Sequence, residues 1–453
     1  MNNYLTTFSN IAAYNQFLDS NDCPPVNVSY ITSTSEVKYY KDTPEAIPFT
    51  VEIDTLPSGV SEVYPKFYME TYDPNYPNGD KIIWLKYKIN NGSWVEYPET
   101  WNNNPDGSQL HAVNITTTLA EGDKISFISN NLRYNFYFNS DYWFLEQNTD
   151  GLRVNISGNI MSLVYGDDYL YATPDYYEGS KLYFNNMFSG STFLKDASDL
   201  VLPKHNLPDP ITENNQGIFE EMFSGCTNLV SGPNILAKEL PFKACKRMYL
   251  GCTNLTDIGT ISAKTVHGRA FDWMYFECTS ITGVNFNTFM PNVEKVTGEW
   301  VFAAMFRNCT GIQSITGIGD LVSNVSIANN SNYVFGEMFF GCTSLDITDD
   351  SEVFDISTSI NNMDLFYYMF ANCTSLTHTP VMNYVSATSS MFQDCYSITH
   401  LYWLGTNWID YKLGDNWSAA EGTLYYNGTE TLEYDPSSVV PGGWSTSAYT
   451  PSN

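Results

Sequence analysis

The chain has few basic residues. Its 453 residues include 21 Lys and Arg against 50 Asp and Glu, which gives a formal net charge of −29. Nucleic acids and anionic membrane surfaces are bound through clustered Lys and Arg, and the sequence has no such cluster. We therefore expect neither as a partner, and we interpret the acidity as a means of keeping a large exposed surface soluble.

Long apolar runs and a leader peptide are also lacking. No stretch approaches the 18 apolar residues that a membrane-spanning helix needs, so we expect no insertion into a membrane. The N-terminal segment carries neither a basic nor an apolar region, and no secretory signal is visible in it. This favours synthesis and retention in a reducing cytosol, unless the sequence is a mature chain whose leader has been removed.

Catalytic and metal-binding motifs are equally scarce. The histidines form no HExxH motif and accompany no GxSxG serine, and no two cysteines form a CxxC pair. The pairs Asp167–Asp168 and Asp349–Asp350 are the only candidates for calcium, and neither lies in a spaced loop motif. We therefore predict no catalytic residue, no cofactor and no metal site. The five histidines are His111, His205, His267, His378 and His400.

What the sequence does contain is a repeat. The word "MFSGCTNL" begins at Met222 and returns as "MYLGCTNL" at Met248. Eight copies begin at intervals of 35, 26, 26, 31, 33, 31 and 22 residues, and a period of this size is typical of stacked repeats. The eight origins are Met187, Met222, Met248, Met274, Met305, Met338, Met369 and Met391.

The composition of the repeat predicts its structure. Relative to each Met, an aromatic residue stands at +1 in all copies, Phe at −3 in six and Cys at +4 in seven, offsets that share one face of a helix. Gly or Asn at +3 in six copies predicts the end of that helix, and apolar positions such as Val284 and Ile315 predict a strand beyond it. We therefore expect an α/β solenoid whose repeats bury their apolar sides only by stacking.

The regularly placed cysteines are predicted to be buried, free thiols. Cys is among the most buried residue types, and neighbouring helices about 8–10 Å apart would hold equivalent cysteines beyond the roughly 7 Å limit of a disulfide. Cys245 and Cys252, the closest pair, belong to one repeat. Ser191 replaces Cys in the first copy, a change that a packing position tolerates and a ligand site does not.

Different patterns flank the repeats. Residues 1–43 predict a short amphipathic helix bearing Ile11, Tyr14 and Leu18, followed by an extended arm. That arm either docks on its own domain or attaches the protein to a neighbour. Residues 44–160 contain alternating stretches such as "LRVNIS" that predict a small β-sandwich, with the strand density of an immunoglobulin-like domain.

The remaining predicted regions are the solenoid and its C-terminal cover. We assign residues 161–403 to the solenoid and 404–453 to a short β cap, with a hairpin across Asn427 and Gly428. In the sandwich, Trp84 and Trp94 are predicted to be core residues. The fold class expected from the whole sequence is therefore multidomain and β-rich, with an N-terminal arm, a sandwich, an α/β solenoid and a cap.

The tandem word M-[FY]-x-x-C-[TS]-x-[LI] resembles the BspA-type leucine-rich repeat, over residues 180–403. This repeat is found in surface proteins of Bacteroidales and in proteins of their viruses. The stretch "AAYNQFLDSNDCPPVNVSYITSTSEVKYY" is similar to the leader of many structural proteins of crAss-like and related Bacteroidales phages, and "GDNWSAAEGTLYY" is similar to the closing segment of their repeat proteins. Ser191 and Tyr396 depart from the repeat word.

The resemblance implies a virion structural protein of a tailed bacteriophage, a fibre or appendage component attached to the head or the tail. Its expected partners are other virion proteins, bound through the N-terminal region, and further copies of itself in a dimer or trimer. Contact with a host glycan or surface protein is an extension of this hypothesis. The implied location is the virion, assembled in the host cytoplasm.

Two alternatives belong to other classes. A bacterial cell-surface adhesin could use the same repeats, although the N-terminal segment shows no leader. A glycan hydrolase would need two carboxylates about 5–9 Å apart, and no pattern among the acidic residues selects two. We therefore expect that the chain is not an enzyme.

Overall fold

The structure is a computed structural model, and the chain it describes is β-rich and divided into two compact units. Unit 1 comprises Met1–Tyr137, Tyr142–Tyr183 and Leu194–Pro208, and unit 2 comprises Phe138–Asp141, Phe184–Phe193 and Asp209–Asn453. The division of the sequence into four regions stays a prediction. The described residues are 30–31, 37–38, 47–70, 84–97, 110–129, 136–138, 150–165, 184–204, 207, 217–348, 350–355, 364–383, 389–405, 413–429 and 431–450.

Unit 1 contains two sheets with mostly antiparallel strands. The larger has the order β11-β10-β3-β8-β5-β6, with β12 also pairing with β10, and the smaller has the order β7-β4-β9. A separate short antiparallel pair joins β1 and β2. The elements of unit 1 are β1 (Tyr30–Ile31), β2 (Val37–Lys38), β3 (Thr50–Thr55), β4 (Lys66–Glu70), β5 (Leu85–Ile89), β6 (Val95–Glu96), β7 (Leu110–Asn114), β8 (Lys124–Ser129), β9 (Phe136–Tyr137), β10 (Arg153–Asn159), helix α1 (Ser162–Tyr165), β11 (Leu194–Asp196) and β12 (Leu200–Val201).

The alternating patterns of unit 1 form the predicted strands. In β10, Val154 and Ile156 are buried, whereas Arg153, Asn155 and Ser157 are partly exposed, as a strand with one face on a core requires. Strands β5 and β6 pair antiparallel across the turn at Asn90 and Asn91. The core prediction for Trp94 is wrong, because its side chain is 38% exposed beside the short edge strand β6.

The N-terminal expectations are only partly covered by the described residues. The extended stretch after the predicted helix contains strands β1 and β2. The predicted helix that bears Ile11, Tyr14 and Leu18 lies outside the described residues. None of the helices within the described ranges has the length and hydrophobicity of a membrane span.

Unit 2 is built from parallel strands. They form a four-stranded sheet in the order β13-β14-β16-β18, a pair β15-β17, and a five-stranded sheet from β19 to β23 in chain order. The elements of unit 2 are β13 (Glu239–Leu240), β14 (Thr265–His267), β15 (Gly283–Asn285), helix α2 (Phe286–Phe289), β16 (Lys295–Thr297), β17 (Ser314–Thr316), helix α3 (Ile318–Asn324), β18 (Ser326–Ile327), β19 (Val353–Asp355), β20 (Val381–Asn383), β21 (His400–Trp403), β22 (Thr423–Tyr426), a 3-10 helix (Pro436–Ser438) and β23 (Ser445–Ala448).

The strands predicted after the repeat word are confirmed at three positions. Strands β15, β17 and β21 follow the copies that begin at Met274, Met305 and Met391. The hairpin predicted across Asn427 and Gly428 is wrong. Strand β22 pairs in parallel with both β21 and β23, so the chain after Gly428 crosses back to begin β23 in the same direction.

The helix predicted within each repeat is also wrong, because the repeat word forms a coil of consecutive turns. We call each coil a rung and name it by its Met. In the Met248 rung, Lys243, Arg247 and Gly251 have φ values of 59°, 54° and 73°. A left-handed residue at every fourth position is incompatible with an α-helix, in which every φ is negative.

The hydrogen bonds explain why a coil replaces the helix. Alternate N–H groups bond within the rung, as Met248 N–H does to the Cys245 carbonyl at 3.1 Å. The others bond to the following rung, as Phe223 N–H does to the Met248 carbonyl at 2.8 Å. An α-helix uses its interior N–H groups internally, so it would leave no ladder of bonds between repeats.

The coil also determines which side chains are buried. Its period of four places two consecutive residues inside and the next two outside. In the Met248 rung the inside residues are all fully buried, and the same offsets are buried in the neighbouring rungs. These inside residues are Ala244, Cys245, Met248, Tyr249 and Cys252.

Left-handed residues other than glycine generate a prediction about stability. Glu277 is exposed and has a φ of 61°, a conformation that costs an L-residue roughly 1–2 kcal/mol. Glu277→Gly removes that cost and adds unfolded-state entropy, so we expect the free energy of unfolding to rise by about 0.5–1 kcal/mol. Urea denaturation measures the change.

The matched control is Thr310→Gly, an exposed residue with negative φ on the next rung. We expect this substitution to destabilise the protein, because glycine there brings only its extra unfolded-state entropy. Equal losses of stability in both variants would contradict the prediction.

Candidate functional site

A column of aromatic rings occupies the interior of unit 2. Each of the eight rungs supplies the residue after its origin, and Phe138 adds a ninth ring. The centroids of neighbouring rings lie 5.1–5.7 Å apart, and their planes are within 10° of parallel except for Phe138 and Phe188, at 26°. This spacing is smaller than the 8–10 Å of packed helices, so the distance argument used for the cysteines does not apply. The rings belong to Phe138, Phe188, Phe223, Tyr249, Tyr275, Phe306, Phe339, Phe370 and Phe392.

The cysteines at +4 form a second column, which we call the thiol ladder. Cys278 Sγ donates to the carbonyl of Tyr249 on the preceding rung at 3.1 Å. The same carbonyl accepts the Cys252 N–H at 3.0 Å, so both of its lone pairs are used. Seven rungs repeat the thiol contact, at 2.9–3.2 Å. The donors are Cys226, Cys252, Cys278, Cys309, Cys342, Cys373 and Cys395.

The structure confirms that the described cysteines are free and buried. Burial raises the pKa of every one of these thiols, that of Cys226 to about 12, so the thiolate needed for nucleophilic attack or metal binding is not formed at neutral pH. Ser191 completes the ladder where cysteine is missing, because its hydroxyl donates to the Phe138 carbonyl. The ladder is therefore structural.

The outside of the rungs carries the most varied chemistry. We define the outer row as the residue before the origin in six consecutive rungs. At its centre, the Trp273 ring has the guanidinium groups of Arg247 and Arg307 at 5.8 and 5.7 Å from its centroid. Such cation–π contacts contribute about 0.5–1 kcal/mol each at exposed sites. The outer row consists of Glu221, Arg247, Trp273, Ala304, Glu337 and Tyr368.

Each arginine beside Trp273 also has an acidic partner. Arg247 pairs with Glu221 at 3.2 Å, and Arg307 pairs with Glu337. The side chains of these two pairs are between 22% and 40% exposed. Ions with this exposure remain available to a partner, and their pairing keeps the row close to neutral.

An aromatic patch shares Tyr368 with the outer row, and we define it as Trp300, Tyr333, Tyr367 and Tyr368. Trp300 and Tyr333 stack at 4.4 Å, and Tyr367 meets Tyr333 and Tyr368 edge-on at 5.7 and 4.4 Å. A Cβ at Gly336 would be tight against the Tyr333 carbonyl oxygen, at 3.2 Å, and in ordinary contact with the Trp300 ring, at 3.6 Å. All four aromatic side chains are partly exposed.

A charged ladder lies next to the outer row. It consists of Glu220, Lys246 and Asp272, each two residues before an origin, together with Arg269, three residues before Asp272. Lys246 pairs with Glu220 at 3.4 Å, and Arg269 lies 3.6 Å from Asp272. The Glu220 and Asp272 side chains are each 7% exposed. Burial raises the pKa of Asp272 to about 6, against the smaller opposing effects of Lys246 and the arginines.

The described histidines and acidic residues considered from sequence do not converge on one site. His267 contacts Glu239 at 2.8 Å and Thr297 at 2.9 Å. His378 and His400 stack across an isolated parallel bridge, with centroids 3.9 Å apart. His205 and the side chain of His111 lie outside the described residues, as do Asp167, Asp168 and Asp349. Asp350 accepts a hydrogen bond from Tyr449 at 3.0 Å, and no cluster within the described ranges has three or more metal-ligating side chains.

Comparison with known proteins finds no match to this chain among protein-family models, curated proteins or solved structures. The interpretation of the site therefore depends on its geometry. Sequence reasoning missed the outer row and the charged ladder, because it followed only the apolar offsets. The signal available was the set of residues at offset −1, which runs Glu, Arg, Trp, Ala, Glu and Tyr from Glu221 to Tyr368.

The thiol ladder generates a prediction about hydrogen bonding. Cys278→Ala removes the second donor to the Tyr249 carbonyl and opens a small cavity, so we expect a loss of about 1–3 kcal/mol in the free energy of unfolding. Cys278→Ser keeps a donor, as Ser191 does, and is expected to cost less. Urea denaturation under reducing conditions orders the variants.

Cys245 is the matched control, because it is equally buried and its thiol makes no hydrogen bond among the described residues. There we expect the opposite order, since Cys245→Ser buries a hydroxyl without a partner whereas Cys245→Ala does not. The same order at both positions would show that side-chain volume, rather than the hydrogen bond, determines stability.

Asp272 generates a prediction about pH. Its pKa in the folded protein, about 6, lies above the ordinary value of 3.8, so the folded state binds the proton more tightly and this contribution to stability is lost as pH rises from about 4 to beyond 6. Asp272→Asn should therefore be more stable than wild type at pH 8 by about 1–3 kcal/mol. Urea midpoints at pH 5 and pH 8 test this.

At pH 5 the advantage of Asp272→Asn should shrink, because the wild-type carboxyl is then largely protonated. The control Glu277→Gln changes an exposed carboxylate on the same rung and is expected to leave both midpoints unchanged. An advantage of equal size at both pH values would contradict the assignment.

Proposed function

We propose that this chain is a virion structural protein of a tailed bacteriophage, a fibre or appendage component attached to the head or the tail. The observation that carries the proposal is the difference between the inside and outside positions of each rung. Inside positions repeat the same aromatic and thiol residues, whereas outside positions differ from rung to rung. A constant interior with a variable exterior suits a scaffold that displays contact residues.

For the fold, we propose that unit 2 is a solenoid of the BspA-type leucine-rich repeat class. Its support is the parallel pairing of successive strands and the hydrogen bonds between successive rungs. We propose an immunoglobulin-like sandwich for unit 1, supported by its two predominantly antiparallel sheets. The sequence resemblance supports the first assignment more strongly, because it rests on eight copies of one word.

The proposed role is assembly and contact, without catalysis. The N-terminal region would attach to other virion proteins, and the outer row and aromatic patch would face a partner. Half-exposed Trp, Tyr and Arg side chains are the types enriched in interfaces between proteins. The acidic residues of the outer row are held in ion pairs, an arrangement that favours adhesion over general acid chemistry.

The final rungs support a defined end to the proposed solenoid. Leu413 accepts the Phe392 N–H at 2.9 Å, as an origin residue would, and Asn416 has a φ of 53°. Trp417 stands where the other rungs have a thiol, and its ring packs edge-on against Trp444 at 5.2 Å. Two large rings in place of a small thiol close the column, which is the role proposed for the C-terminal cap.

Mass spectrometry of density-purified phage particles tests the proposed function. We expect peptides of this chain at a stoichiometry that fits the symmetry of the head or tail, and a cryo-EM map of the particle should contain stacked rungs about 5 Å apart, like strands in a sheet. Host proteins in the same preparation serve as the contamination control.

Detection of the chain only in bacterial envelopes, and never in purified particles, would overturn the proposal in favour of a cell-surface adhesin. Release of oligosaccharides from capsule by the purified chain would overturn the non-enzymatic role.

A further inference from the structure

The charge of the chain is unevenly distributed. Residues 238–307 contain eight Lys and Arg and six Asp and Glu, which gives this segment a net charge of +2. The rest of the chain therefore carries a net charge of −31, and the two parts add up to −29. Two copies of so acidic a chain repel one another over most of their surface. They can approach with least repulsion through the rungs in this segment, which include those of Met248, Met274 and Met305.

The outer row has a self-complementary order. Consider a twofold axis midway between the Met274 and Met305 rungs, with a second copy running antiparallel. Arg247 of one copy then faces Glu337 of the other, and Trp273 faces Ala304. A basic side chain therefore faces an acidic one, and a large side chain faces a small one. A twofold interface makes each of these contacts twice.

The end positions of the row fit the same arrangement. Glu221 of one copy faces Tyr368 of the other, which places a carboxylate opposite a phenol that can donate a hydrogen bond. A displacement of the axis by half a repeat, onto the Met274 rung, would place Trp273 against Trp273 and Arg247 against Ala304. Only the first position matches both charge and size.

The charged and aromatic side chains needed for this contact are accessible. Ala304 is only 1% exposed, so Trp273 of the other copy would face a position where no side chain protrudes. The side chain of Arg247 is 40% exposed and that of Glu337 is 22% exposed, and Trp273 is partly exposed. Each charged residue already has a partner within its own chain, so contact between copies would join two ion pairs into a network of four charges. Networks of this kind contribute more than isolated surface pairs.

We propose that the outer row is the face by which a second copy of this chain binds, antiparallel about a twofold axis midway between the Met274 and Met305 rungs. The aromatic patch borders this contact. The proposal deepens the proposed function, because it rests on an oligomeric particle component, yet it concerns the purified chain alone.

Sedimentation velocity on the full chain over a range of concentrations tests the proposal. We expect a reversible dimer for the wild type. Arg247→Glu should raise the dissociation constant at least tenfold, and the double variant Arg247→Glu with Glu337→Arg should restore most of the affinity, because the charges between copies are then exchanged. Circular dichroism and urea midpoints check that each variant is folded.

The matched control is Lys295→Glu. It makes the same change in net charge at an exposed position in β16, away from the outer row, and should leave the dissociation constant within twofold. A loss equal to that of Arg247→Glu would assign the effect to net charge and overturn the proposal, as would a double variant no better than the single one.

Hydrogen exchange on the wild type provides a readout that needs no variant. Dimer formation should slow exchange in the Met274 and Met305 rungs more than in the Met222 and Met391 rungs. A wild-type chain that stays monomeric at high micromolar concentration overturns the proposal. The same holds if this monomer binds a neutral glycan through Trp273.

The virion role and the dimer face can be overturned independently of one another. Particles that contain the chain, together with a monomeric purified chain, would remove the dimer face and leave the virion role. A dimer that depends on Arg247 and Glu337, in a chain absent from particles, would do the reverse.

Discussion

The architecture of unit 2 depends on one constraint, which is that alternate backbone N–H groups form hydrogen bonds within their own rung and the others form them to the next rung. Met248 N–H stays within its turn, whereas Phe223 N–H bonds across to the Met248 carbonyl. This division forces a left-handed residue at every fourth position, at a cost of roughly 1–2 kcal/mol for each one that is not glycine. The bonds between rungs offset that cost, so a rung is stable only beside another rung.

The interior columns follow from the same constraint. Hydrogen bonds between rungs bring equivalent residues to 5.1–5.7 Å, which is the distance at which parallel aromatic rings are in contact. The carbonyl at +1 accepts only one N–H from its own rung, and its second lone pair faces the next rung. A thiol or hydroxyl at +4 supplies the missing donor, which explains why Ser191 can replace cysteine and why the thiols are conserved in position along the chain without being reactive.

Much of this could be predicted from the sequence, and the failures have physical causes. The word centred on Met222 and Met248 predicted the repeats, their buried residues and the free thiols. Helix and coil could not be separated, because offsets of −3, 0, +1 and +4 share a face at a period of 3.6 or of 4. Over only eight residues the two periods differ by less than a quarter of a turn.

Pairing between distant segments was the other limit. Asn427–Gly428 is a strong hairpin signal by itself, yet β22 already has β21 on one side and continues the parallel order. Local turn preference was therefore overridden by an existing ladder. Trp94 shows the converse, because alternation predicted a buried residue where an edge strand leaves one side uncovered.

Residues on the exterior of the rungs are not restricted by ring stacking or by the thiol contact. A residue at −1 must tolerate a left-handed φ but touches no interior column, so neither ring stacking nor the thiol contact restricts its identity. Glu, Arg, Trp, Ala, Glu and Tyr occupy successive rungs there, and each charged member is balanced by a neighbour one rung away. Left-handed conformations favour Gly and Asn, so an arginine and a tryptophan at such positions carry a conformational cost that the fold does not require. A contact that uses those side chains would account for them, and the antiparallel copy proposed here uses both.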